Sequence, residues 1–148
     1  MKILLDTNTL FSGLGFEGNE RNLLKKAGTG EVDFAVTDMS FEELKRNISE
    51  KYSERQREEA LDLLLTILST GRIEIKGKDA YQKHLDEAKE MINEEDTPIL
   101  AAAMLGDIDI LVTGDKDFLE NHQIKLSEKI RVKRTKEILE QLEEAEEA

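Results

Sequence analysis

The side chains able to do chemistry in this 148-residue chain are almost all carboxylates. It has no cysteine, which removes disulfides, thiolate zinc sites, iron–sulfur ligation and thiol nucleophiles. Two histidines, His84 and His122, leave little for imidazole catalysis. A metal bound here is therefore a hard cation held by oxygen. Asp6 directly follows Ile3-Leu4-Leu5, and Asp115 and Asp117 follow Leu111-Val112-Thr113-Gly114. Asp96 precedes the only proline, Pro98, and Glu43 stands in Ser40-Phe41-Glu42-Glu43-Leu44. Each has a plainer explanation. Asp6 or Asn8, and Asp115 or Asp117, could simply cap the helices that follow. Glu43, like Asp38 and Glu42, would be favoured by the dipole in the first turn of its helix. Asp96, beside Glu94 and Glu95, could lie in a solvated loop. With Pro98 at the first helical position, however, the cap falls to Thr97 and the Asp96 carboxylate is free to point elsewhere. Two acidic turns at the tips of the two most buried strands shift the balance further. Carboxylates forced together repel and retain protons unless a cation lies between them, and a divalent ion resolves that conflict.

The elements that position these acids alternate in periodicity. Ile3 to Leu5, Val32 to Val36 and Ile108 to Val112 read as buried strands, while Arg72 to Lys76 and Lys129 to Lys133 read as edge strands. Helical spacing runs through Leu10, Phe11 and Leu14, and again from Asn19 to Lys26, ending at Gly28 and Gly30. Asp38 or Ser40 is predicted to cap a helix carrying Phe41, Leu44 and Ile48. Residues 54 to 69 form the most apolar helix, with Leu61, Leu64, Leu65 and Leu68 on one stripe that either faces the core or serves a dimer interface. Asp79 to Asn93 is predicted as one helix, and another begins near Pro98. From Thr135 the chain is an acidic helix with Ile138, Leu139 and Leu142 inward. Strands separated by helices mean crossovers and a mainly parallel sheet, so functional groups belong at the C-terminal ends of strands.

A single domain over residues 1–148 follows from the length and the absence of any linker. No run approaches the roughly 20 apolar residues of a spanning helix, and a cytoplasmic protein is expected. The net charge of −12 argues against a general nucleic-acid coat, although the final segment from Thr135 sets six glutamates against Lys136 and so holds much of it. Local cations remain as candidates for phosphate contact: Lys45, Arg46, Lys51, Arg55, Arg57 and Lys116. Glu50, Glu54, Glu58 and Glu59 are interleaved with them, so most fit a solvated helix face more simply. With aromatics at 5%, recognition would rest on shape and backbone rather than stacking.

Four stations, Ile3-Leu4-Leu5-Asp6-Thr7-Asn8, Ser40-Phe41-Glu42-Glu43-Leu44, Asp96-Thr97-Pro98-Ile99-Leu100-Ala101-Ala102-Ala103 and Leu111-Val112-Thr113-Gly114-Asp115-Lys116-Asp117-Phe118, resemble in order and spacing those of PIN-domain nucleases. The resemblance covers residues 1 to 133. It implies a three-layer α/β/α sandwich around a five-stranded, mainly parallel sheet with the first and fourth strands adjacent. It also implies that Asp6, Glu43, Asp96 and Asp115 form the catalytic carboxylate cluster, with Asp6, Asp96, Asp115 and Asp117 on Mg²⁺ or Mn²⁺. Asn8, Thr113 and Lys116 would support those ligands or touch phosphate. The implied activity is hydrolysis of single-stranded or structured RNA, leaving a 5′-phosphate and a 3′-hydroxyl. Such a ribonuclease could be the toxin of a VapC-like toxin–antitoxin pair, held silent by an antitoxin protein, or an RNA-processing enzyme, and family members often form homodimers. Two other classes compete: a non-catalytic PIN-like binding module, and a phosphoacceptor α/β domain. The second fits less well, because Asn8 stands where haloacid-dehalogenase-like phosphatases need an Asp.

Overall fold

The computed structural model describes residues 1–147. Strand β1 (Lys2–Leu5) has Ile3, Leu4 and Leu5 without solvent exposure. Ile3 and Leu5 enter one core and Leu4 the other, as alternation in a strand covered on both faces requires. Helices α1 (Thr7–Gly15) and α2 (Asn19–Lys25) follow, then a 3₁₀ turn (Lys26–Thr29) that ends at Gly30. Strand β2 (Asp33–Thr37) leads into α3 (Asp38–Lys51), and α4 (Glu54–Ser69) into β3 (Ile73–Lys76). Short helices α5 (Lys78–Tyr81) and α6 (Leu85–Lys89), joined by a 3₁₀ turn, precede α7 (Thr97–Ala103). Strand β4 (Ile110–Val112), α8 (Lys116–Leu119), α9 (His122–Leu126), β5 (Val132–Lys133) and α10 (Thr135–Glu147) complete the chain. Ala148, the last residue of the expected acidic helix, lies outside the described residues.

All four strand pairings are parallel, in the order β3-β2-β1-β4-β5. The chain winds outward from β1 through β2 to β3, then crosses to β4 and on to β5. The switch point therefore lies between β1 and β4, where a crevice opens beyond the strand ends. Their register sets Leu5 beside Val112, so Asp6 and Thr113 are the next residues of adjacent strands. One face of the sheet packs on α1, α2, α3, α4 and α10, and the other on α5 to α9, giving three layers.

Several local expectations change. Thr37, not Asp38 or Ser40, caps α3, its hydroxyl accepting from Ser40 N at 3.0 Å. Asp38 instead ties α3 to α5, accepting from Tyr81 Oη at 2.6 Å and Lys78 N at 3.1 Å. The helix expected over Asp79 to Asn93 is broken, because the 3₁₀ turn tightens the chain between two buried anchors, Tyr81 and Ala88. On α4 the buried positions are Ala60, Leu64 and Ile67, while Leu61 and Leu65 are 41% and 63% exposed. They stand one residue past Ala60 and Leu64, about 100° around the helix, so the predicted four-leucine stripe is divided between core and solvent. Strand β3 is an edge strand, but Ile75 is exposed and Lys76 is buried. Lys76 Nζ reaches Asp107 at 2.6 Å and Glu74 at 2.9 Å, and Lys2 Nζ reaches the same two acids at 3.2 and 3.0 Å.

Two consequences can be measured. Hydrogen bonds to the two lysines hold the Glu74 and Asp107 carboxyls below their ordinary range. The network's stability is therefore present above about pH 4 and lost as pH falls through the lowered values. Wild type should lose more stability on acidification than Asp107→Asn, and the difference should shrink in 1 M salt because both acids are half exposed. An equal acid response would show that the network contributes nothing. At Gly13, a Cβ would stand 2.6 Å from Leu24 Cδ1 and 3.1 Å from the Glu20 backbone. Gly13→Ala should therefore lower the free energy of unfolding measured in urea, by about 1–3 kcal/mol, although alanine is the better helix former.

Candidate metal centre

The acids predicted from sequence converge where the fold places its crevice. Asp6, Asn8, Glu43, Asp96 and Asp115 line one cavity of about 490 Å³, with Thr7, Met39, Arg46, Glu95, Ile99 and Phe118. Asp117 lies at its mouth: one carboxylate oxygen each from Asp96, Asp115 and Asp117 fall within 4.8 Å of one another.

Asp6 is 6% exposed and has two structural tasks. Its Oδ1 caps α1 by accepting from Thr9 N at 2.8 Å, and its Oδ2 accepts from the Thr113 hydroxyl. Capping and a role in the crevice are thus compatible, since each carboxylate oxygen keeps a lone pair. The buried Thr113 hydroxyl also accepts from Asp115 N at 3.0 Å, so one side chain joins the tips of β1 and β4. Asp115 in turn caps α8, accepting from Asp117 N at 2.9 Å, which fixes the two acids relative to each other.

Asp96, not Thr97, occupies the cap position of α7, with Thr97 the first helical residue. Its carboxylate still makes no capping bond, because its backbone is already helical. It is free for another reason than the one expected from Pro98. Glu43 lies in the second turn of α3, beyond the reach of the dipole explanation, and accepts from the Thr7 hydroxyl at 3.3 Å. Lys116 is exposed and stands outside the cavity lining.

Among the cations expected to touch phosphate, only Arg46 lines the cavity. Lys45 pairs with Glu42 at 2.8 Å and Arg55 with Glu59 at 3.4 Å. Arg57 donates to the Ser49 carbonyl at 3.0 Å, and Lys51 lies 5.9 Å from the Phe11 ring centre.

Sequence reasoning missed Asn93. Its amide donates to Asp96 at 2.7 Å and to Asp117 at 3.4 Å, while its carbonyl accepts from Asp96 N at 3.0 Å. The Asn-x-x-Asp spacing signals the last bond, a local side-chain to backbone contact, but not the link to Asp117.

The donor set suits a hard divalent cation. All donors are oxygens, and their separation within 4.8 Å is close to the span, about 4 to 5 Å, of two oxygens on opposite sides of one such ion. The electrostatics agree. Burial, and then repulsion from Asp115, Asp117 and Glu95, raise the Asp96 pKa above its ordinary value, against the lowering effect of Asn93.

The family-level comparisons match this geometry. The PIN domain model fits residues 4–145, and the chain belongs to that family. Among solved structures, VapBC2 from Rickettsia felis, bound to a DNA fragment from its promoter, has a chain 19% identical to this one. It covers 90% of this chain and 98% of that one with a TM-score of 0.61. FitAcB from Neisseria gonorrhoeae matches with 18% identity, 90% and 97% coverage and a TM-score of 0.63. At these identities the likeness is one of fold. A search of curated proteins finds no match.

An acid whose pKa is raised by folding costs stability while ionised, and the cost disappears as pH falls through that raised value. In EDTA at pH 7.5, Asp96→Asn should therefore match or exceed the wild type in Tm. Mn²⁺ should raise the wild-type Tm by several degrees and the variant's by much less. Equal Mn²⁺ shifts in both proteins would remove Asp96 from the centre.

Proposed function

We propose that this chain is a divalent-metal-dependent endoribonuclease of the cytoplasm, hydrolysing RNA phosphodiester bonds in the cleft between β1 and β4. The observation that carries the reading is the convergence of Asp96, Asp115 and Asp117 at the mouth of a cleft also lined by Asp6 and Glu43. Asp6, Asp96, Asp115 and Asp117 would hold Mg²⁺ or Mn²⁺. The ion, when bound, supplies a water nucleophile at neutral pH and neutralises charge on the phosphate oxygens.

The chain's own groups do the remaining work. Thr113 orients Asp6 and Asp115 from behind. Glu43, which accepts from the Thr7 hydroxyl within the same lining, would align the attacking water and take its proton. Asn8 and Arg46, on the same lining, would contact the phosphate. Lys116, exposed at the start of α8, would meet the strand outside the cavity.

The convergent acids argue against a non-catalytic binding module, which has no need to hold three carboxylates together. The likeness in fold to a chain of VapBC2 supports a further reading, that the enzyme is the toxin of a pair and is silenced by an antitoxin protein. Growth arrest on expression, relieved by a co-expressed small protein from the neighbouring gene, would support that role over RNA processing.

The direct test is incubation with end-labelled single-stranded and stem-loop RNAs in Mn²⁺, Mg²⁺ or EDTA. Asp6→Asn/Asp115→Asn should reduce cleavage by roughly 10²–10³-fold, since loss of groups that organise transition-state charge carries such costs. Asparagine can keep both helix caps, so the fold should survive. Products should end in 5′-phosphate and 3′-hydroxyl. Undiminished cleavage by the double variant would mean that the activity is not this protein's.

A further inference from the structure

The net charge of −12 conceals one basic stretch. Residues 125–136 hold six cations, Lys125, Lys129, Arg131, Lys133, Arg134 and Lys136, against one acid, Glu128. The fold lays this stretch along the β5 edge of the sheet, from the end of α9 to the start of α10. There Lys125, Arg131 and Lys133 line a groove of about 310 Å³ with Ile124, Ile130 and Leu119 among its apolar lining. Among the described residues none of these three cations forms an ion pair, unlike Lys45 and Arg55, which are paired with glutamates of their own helices.

The groove adjoins the acidic cleft. Phe118 lines both cavities, and α8, which carries it, begins just after Asp115. On the strand side, the Lys133 carbonyl accepts from Thr113 N at 3.1 Å, and Thr113 in turn holds Asp6. A polyanion is repelled by the cluster of acids, so a strand cleaved there must be gripped alongside it, by charge of the opposite sign. A groove of about 310 Å³ lined by three cations offers a track for the backbone of one strand.

We propose that the groove beside β5 binds the sugar–phosphate backbone of single-stranded RNA flanking the scissile bond, with Lys125, Arg131 and Lys133 on successive phosphates. The identity of the polymer rests on the nuclease reading above. With one aromatic side chain at the wall and aliphatics elsewhere, the grip is electrostatic and tolerant of sequence.

The test is fluorescence anisotropy with a 5′-labelled single-stranded 12-mer RNA in EDTA, where no metal-dependent cleavage occurs, over 50 to 200 mM salt. Lys125→Gln/Arg131→Gln/Lys133→Gln should weaken binding about tenfold or more at 50 mM. It should also reduce the slope of log affinity against log salt by about 2, close to 0.7 for each lost phosphate contact. Lys45→Gln/Arg55→Gln should bind as wild type. Should the triple variant unfold, Lys133→Gln alone is read by the same slope, with a fall of about 0.7.

A correctly folded triple variant that binds with the wild-type slope, while wild type cleaves the same RNA in Mn²⁺, overturns the groove and leaves the nuclease standing. Loss of binding in the triple variant, beside a wild type that does not cleave this RNA in Mn²⁺, supports the groove and moves weight to a highly specific enzyme or a binding module. Equal displacement of RNA by poly-glutamate would reveal a general anion surface and overturn the assignment to RNA.

Discussion

The parallel pairing of β1 with β4 is the constraint on which the rest of the site depends. With Leu5 registered on Val112, the next residue on each strand emerges from the core at the same height. A slip of one residue would send Asp6 and Thr113 to opposite faces and bury the wrong aliphatics. Because both strands are covered on both sides, the hydrophobic core enforces the register, and the chemistry inherits that accuracy. The Thr113 hydroxyl then locks the two strand tips together through Asp6, while Asp6 also closes the first turn of α1. One carboxylate thus belongs at once to the fold and to the crevice.

Around that point the molecule carries an unresolved electrostatic conflict. Asp96, Asp115 and Asp117 are held close by backbone geometry and by the Asn93 amide, and among the described residues none of the three forms an ion pair with a lysine or arginine. Local hydrogen bonds hold the arrangement: Asp115 caps α8 by accepting from Asp117 N, and the Asp96 backbone N donates to Asn93 Oδ1. Like charges held so cannot relax by moving apart, and a captured cation relieves the repulsion that raises the Asp96 pKa. The basic stretch along β5 answers the same conflict at longer range, placing positive charge beside the acids without neutralising them.

Much of this was legible in the sequence. Aliphatic runs broken by Asp6 and by Thr113-Gly114-Asp115 announce buried strands with acids at their ends, and the alternation with helices predicts a parallel sheet. The family motifs bring Asp6, Asn8, Glu43, Asp96 and Asp115 to one cleft, where the structure places them. What was hidden depends on partners remote in sequence. Lys76 reads as an exposed edge residue because its burial is decided by Asp107, and Asn93 reads only as the end of a helix because Asp117 lies 24 positions away. The cap of α3 was misplaced because pairing with β3 carries β2 through Thr37, leaving that residue to end the strand and start the helix. The cations of α3 and α4 drew attention as phosphate contacts, while helical spacing was pairing Lys45 and Arg55 with glutamates.

The two edges of the sheet have a consequence for the molecule's behaviour among its own copies. An exposed edge strand is a template on which another chain can add a strand, and a long flat apolar one invites fibrils. Strand β5 is only two residues long and is flanked by Arg131 and Arg134. Strand β3 points Glu74 and Lys76 into an ion-paired network that an added apolar strand could not satisfy. Strand β5 is too short to template another strand, and β3 sets its charged network against an apolar one. The parallel core, slow to assemble because its pairings are distant in sequence, is thereby guarded against edge-to-edge growth once it has formed.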